Sequence, residues 1–98
     1  MHVKEGDRME FEKACSRCFD YFTKHGKHGI ATLMESSDAW IFTGANETKD
    51  VTDHDMPPII IHKKDGKSHF MSFTNDEDIK IFDTAIEIKV PDKYQAKY

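Results

Sequence analysis

A chain of 98 residues is long enough for one hydrophobic core and too short for two, and with 38% hydrophobic against 33% charged residues that core should be small under a densely charged surface. A formal charge of −4, with lysines scattered among acids, opposes a phosphate backbone as partner and leaves a basic protein partner open. No apolar stretch approaches the roughly 20 residues that cross a bilayer, the charged beginning Met1-His2-Val3-Lys4-Glu5-Gly6-Asp7-Arg8 has no apolar signal core, and Cys15 and Cys18 are a poor disulfide framework, so the chain reads as cytoplasmic.

Residues 1–8 read as a leader and helix cap, 9–91 as a single α+β domain and 92–98 as a frayed tail. Asp7 followed by Glu10 has the spacing of a capping box, and Phe11, Cys15, Cys18 and Phe22 then recur on one helical face. That helix should run to about His25 and stop at Gly26, with Lys24, His25 and Lys27 placed where the helix dipole favours positive charge. Ile30–Met34 and Ala39–Thr43 read as two strands around the turn Ser36-Ser37-Asp38. A long polar loop, 44–56, precedes a hairpin in which Pro58-Ile59-Ile60-Ile61-His62 breaks at Asp65-Gly66 and resumes through Phe70. Thr74 and Glu77 offer a second capping box for a short helix, and Ala85–Val90 alternates as a half-exposed strand that Pro91 ends. Short links make the strand pairs antiparallel, and the apolar stripe of the first helix needs a sheet to cover. The expected fold is therefore an N-terminal amphipathic helix on a mostly antiparallel sheet of four to five strands, with a short helix before the last strand.

Residues that could carry chemistry are few. Cys15-Ser16-Arg17-Cys18 is formally a C-x-x-C, but redox thiols of that spacing sit at a helix N-terminus behind a strand. Here both sulfurs fall on the apolar stripe, where cysteine packs as a small hydrophobe. Adding His25 and His28 would complete four zinc-type ligands, yet one helix cannot readily wrap them around one ion. A two-residue type I′ turn at Asp65-Gly66 would set His62 directly opposite His69, and a three-residue loop would separate them. Asp53-His54-Asp55 lacks calcium-loop spacing, no Gly-x-Ser-x-Gly turn occurs, and the five glycines are isolated. These patterns point to no enzyme, no cofactor and no metal site. Trp40 and Phe42 share one side of their strand, facing either the helix or a partner; parity leaves both open, and the core area of large aromatics favours the helix.

The order of helix, strand, Trp40-Ile41-Phe42 strand, polar loop and Pro58-Ile59-Ile60-Ile61-His62-Lys63-Lys64-Asp65-Gly66 resembles the immunity protein 35 family of bacterial polymorphic toxin systems, over residues 9–75. This chain departs from the family in having His62 at a usually acidic position and Ile86-Glu87-Ile88-Lys89-Val90-Pro91 near its end. The resemblance implies a non-enzymatic cytosolic binding protein that neutralises a cognate toxin by direct contact. The contact set expected on this reading is Glu47, Asp50, Asp53 and Asp55 of the acidic loop, with Trp40 as a possible anchor. The alternatives are a metal- or redox-responsive domain built on the Cys15/Cys18 helix, and a housekeeping or chaperone-like interaction module.

Overall fold

A computed structural model describes residues 10–45 and 57–96. In it the stripe begun by Phe11 winds into helix α1, Phe11–Lys24, which buries Ala14, Cys15, Cys18 and Phe22. Glu10 is the N-cap and makes no side-chain bond, so the helix starts three residues later than an Asp7 cap requires; Asp7 lies outside the described residues. The other end is closed as the glycine foretold. Gly26 adopts φ +85°, the Lys27 N–H reaches the Phe22 carbonyl at 2.8 Å, and the Gly26 N–H reaches that of Thr23 at 3.4 Å. This Schellman arrangement satisfies carbonyls that would otherwise be orphaned.

Strands β1 (Ile30–Glu35), β2 (Ala39–Gly44), β3 (Ile59–His62) and β4 (Ser68–Phe70) form an antiparallel meander. Helix α2, Asp76–Thr84, then carries the chain back to β5, Ile86–Ile88, which pairs antiparallel with β1. The strand order is β4-β3-β2-β1-β5, an α+β arrangement. At the β1–β2 turn the buried Ser36 hydroxyl accepts the Asp38 and Ala39 N–H groups at 3.3 and 3.1 Å. That side chain supplies the local acceptor a tight turn needs.

Both faces of the middle strands are covered, which explains their unbroken apolar text. Trp40, Phe42, Ile59 and Ile61 lie under α1 with Leu33. Ala39, Ile41 and Ile60 face the opposite way, onto Met71 and the partly buried Ile81 of α2. No described helix is long and apolar enough to cross a membrane.

The C-terminal segment corrects the expectation of a frayed tail from Asp92. Asp92–Tyr94 forms a 3-10 turn, and Tyr94 is buried against Phe19 with ring centroids 5.6 Å apart. Lys93 Nζ meets Glu12 at 2.6 Å and draws that carboxyl below its ordinary value. The Gln95 amide donates to the Val90 carbonyl at 2.9 Å, and Gln95 bridges Ile30 in parallel. An aromatic ring and a returning backbone thus dock residues 92–96 on the start of β1; Lys97 and Tyr98 lie outside the described residues.

Two glycines test this geometry against each other. Gly26, with open space around a Cβ, should lose about 1–2 kcal/mol on substitution by alanine, the left-handed cost alone. Gly29 has φ +127°, and a Cβ there would stand 2.8 Å from the Gln95 carbonyl oxygen. Gly29→Ala must therefore displace the docked segment as well, and its denaturation midpoint is expected to fall further than that of Gly26→Ala.

Candidate functional site

The β3–β4 hairpin closes through neither loop length weighed from sequence. Its loop is four residues, Lys63 to Gly66: the His62 N–H bonds the Lys67 carbonyl at 2.9 Å and the Gly66 N–H bonds that of His62 at 2.8 Å. Gly66 takes φ +75°, and the Asp65 carboxylate accepts the Lys67 N–H at 3.0 Å, which lowers the Asp65 pKa. The register then pairs Ile61 with Ser68, Ile60 with His69 and Ile59 with Phe70. His62 is consequently diagonal to His69, not opposite it. The two rings still meet, stacked at 5.2 Å with 26° between their planes, because diagonal neighbours on one face are within reach of long side chains.

Ser68 and Phe70 face α1, and there a groove of about 390 Å³ opens between the helix and the hairpin. Cys18, Tyr21, Ile59, Ile61 and Phe70 make it apolar, and Arg17, Ser68 and His69 complete its lining. Phe70 remains 46% exposed although its ring lies 6.1 Å from Tyr21. The Arg17 guanidinium donates to the Gly66 carbonyl at 2.7 Å, tying α1 to the hairpin tip. β4 is an edge strand, so its outward main-chain groups border this groove.

On the other face of the hairpin, Asp78 joins β4 to α2. Asn75, one residue beyond the expected Thr74 cap, accepts the Glu77 and Asp78 N–H groups at 2.9 and 3.1 Å. Asp78 is thereby turned inward, 4% exposed. Its Oδ2 accepts the Ser72 N–H at 2.9 Å, and its Oδ1 lies 3.0 Å from His69 Nε2, which must carry the proton toward a carboxylate. Burial alone would push the Asp78 pKa up; the bonds from His69 and Ser72 outweigh it and hold the carboxyl below its ordinary value.

Trp40 lies under α1, 5% exposed, its ring 5.7 Å from Phe11. It presents no ring face to a partner, and the inward choice is the one the fold takes. Lys63 Nζ lies 5.2 Å from its centroid and pairs with Glu35 at 2.8 Å. The indole N–H adds to the field at Glu35 but makes no hydrogen bond of acceptable geometry. Glu47, Asp50, Asp53 and Asp55 lie outside the described residues, whose nearest points are Ala45 and Pro57.

Cys15 and Cys18 are free and buried, and burial pushes their thiols up to about 11 and about 12. Protonated, enclosed thiols are poor nucleophiles and poor metal ligands. At pH 8 Cys15 is expected to react with a disulfide reagent only as fast as the protein unfolds, and Cys18, which lines the groove, far more slowly than in denatured protein; labelling of both as fast as in denaturant would contradict this packing. The His25 ring lies 4.2 Å from that of Tyr21, tilted by 38°, and the His28 N–H bonds the Ala45 carbonyl at 2.9 Å. Among the described residues no group of three histidine, cysteine or acidic side chains could hold a metal ion.

The groove escaped the sequence reading because it depends on a three-residue strand lying beside one helical turn. Its signal was the alternation of Ser68 and Phe70 after the Asp65-Gly66 break. Comparison with protein-family models, with curated proteins and with solved structures returns no match.

Proposed function

We propose that this chain is a non-enzymatic, cytosolic protein-binding domain, an immunity protein that neutralises a cognate bacterial toxin by covering its active surface. The observation that carries the reading is the apolar groove beside the β4 edge, which pairs with no further strand among the described residues, with Phe70 half out of it. Exposed aromatic area next to a pocket is typical of an interaction surface. The resemblance over residues 9–75 supplies the toxin. The metal- or redox-responsive alternative is disfavoured by the burial and raised pKa of both cysteines.

The test is to immobilise the protein, expose it to lysate of its native host, and identify by mass spectrometry what survives a high-salt wash. One stoichiometric partner bearing a toxin domain, whose toxicity the protein suppresses, is the expected result; no specific partner would defeat the proposal. If the acidic loop docks a basic toxin, neutralising Glu47, Asp50, Asp53 and Asp55 together should slow association and flatten its salt dependence, as read by stopped-flow binding. Unchanged kinetics would remove the loop from the contact surface.

A further inference from the structure

Register decides which main-chain groups of β4 have no strand partner among the described residues. His62 and Lys67 pair through the ladder, and so do Pro58 and Met71, through the Met71 N–H at 2.8 Å. Antiparallel pairs alternate between bonded and non-bonded, so Ser68 and Phe70 turn their N–H and C=O groups away from β3, toward the open edge. Those same two residues point their side chains into the groove. One edge therefore offers four main-chain hydrogen-bonding groups and a lined trough in a single register.

The helix opposite is matched to that spacing. Arg17 and Tyr21 are four residues apart on α1, about 6 Å along its surface, and two strand residues span about 6.8 Å. Arg17 lies at the Ser68 end, through its bond to the Gly66 carbonyl, and Tyr21 at the Phe70 end. The aromatic end is apolar and the other is cationic. Arg17 spends one of its N–H groups on Gly66 and makes no ion pair among the described residues, Asp20 on the same helix included. Lys64 and Lys67 add positive charge at the hairpin tip, where the Asp65 carboxylate already accepts the Lys67 N–H.

We infer that the β4 edge takes up an extended segment of the partner protein as an added antiparallel strand, reading apolar-x-acidic from its N-terminal end. The apolar side chain lies opposite Phe70, in the groove against Tyr21. The acidic side chain, two residues later, lies opposite Ser68, below Arg17. The pairs opposite Phe70 and Ser68 are both of the bonded kind, which gives four main-chain hydrogen bonds, while the groove and the guanidinium supply selectivity. This assignment rests on the protein-binding reading above and adds the partner's chemistry and the strand's direction.

The probe is the blocked peptide acetyl-Lys-Thr-Phe-Thr-Glu-Thr-Lys-amide, titrated to millimolar concentration into 15N-labelled protein, with a Phe-Thr-Lys version as comparator. Amide shifts centred on Ser68, Phe70 and Arg17 are expected, with the acidic peptide binding about tenfold more tightly. Arg17→Glu should invert that preference. Ser68→Pro should abolish binding while the protein stays folded, since it removes an outward N–H and leaves the ladder to β3 intact. Any of three results would overturn the inference: no shifts at β4, equal affinity for the two peptides, or a dimer of the free protein in sedimentation that Ser68→Pro dissolves. A toxin retained equally by wild type, Arg17→Glu and Ser68→Pro would sink this edge and spare the proposed function. Peptide binding at β4 without any retained toxin would do the reverse.

Discussion

Phe22→Ala is expected to lower the free energy of unfolding by about 3–5 kcal/mol, the range for deleting a fully buried aromatic ring. Phe22 is completely buried in the last turn of α1, and a Cβ on Gly44 of β2 would come within 3.0 Å of its ring. The ring thus fills the space that the glycine leaves at the end of β2. Nothing at Gly44 can expand into the cavity, so relaxation should be small and the cost should fall toward the upper end. The Phe22 carbonyl also accepts the Lys27 N–H, so movement of this turn would loosen the helix stop. Domains of this size are commonly stable by about 5–15 kcal/mol. Urea denaturation followed by circular dichroism should therefore show a midpoint lowered by about one-fifth of the wild-type value or more. A loss under about 1.5 kcal/mol, ordinary for a shallow site, would mean that this end of the helix is not packed as described.

Asp78→Asn is expected to cost about 1–3 kcal/mol at pH 7, and the cost should shrink as the solution is acidified. The carboxylate accepts the Ser72 N–H on one oxygen and faces His69 Nε2 with the other. An amide can keep the first bond but turns a donor toward His69, so one buried contact is lost or forced into another tautomer. The sign of the pH dependence follows from the lowered Asp78 pKa. A carboxyl depressed in the folded state contributes stability that is fully present above its unfolded value of about 3.9, and that stability is lost as pH falls through the folded value. The difference between wild type and variant should thus be largest at neutral pH and should close below about pH 4. Comparing the two proteins isolates this group from Glu12, Glu35 and Asp65, whose pKa values are also lowered and which titrate identically in both. A difference that stays constant from pH 7 to pH 2.5 would mean that Asp78 does not carry the charge-assisted bonds described here.

If both results hold, the hairpin is braced from two sides. Arg17 ties its tip to α1 and Asp78 ties its edge strand to α2, so β4 is held in place although none of its three residues is buried. A rigid edge suits strand addition, because the added segment then orders no part of its receptor. Phe73 and Phe82, also exposed and 6.2 Å apart, lie outside this braced unit and are not needed by the proposed contact.

The text of the chain determined the local elements, because each rests on interactions between near neighbours. The period of Phe11, Cys15, Cys18 and Phe22 placed α1 and its buried stripe, and Gly26 placed its end, since only a residue tolerant of positive φ can form that cap. The β-branched run at Ile59–Ile61 and the glycine break placed the hairpin, and short links made the β1–β2 and β3–β4 pairs antiparallel. The side of the sheet taken by Trp40 required tertiary structure, because a strand buried on both faces carries no alternation to read. So did the docking of Tyr94, whose partners Phe19 and Glu12 lie some 75 to 82 positions earlier, and the inward turn of Asp78, which is set by an Asn75 cap that excludes Thr74. The candidate site belongs to that second group. Arg17 and Tyr21 meet Ser68 and Phe70 only when α1 packs across the sheet, and separations of about fifty residues leave no periodicity in the sequence.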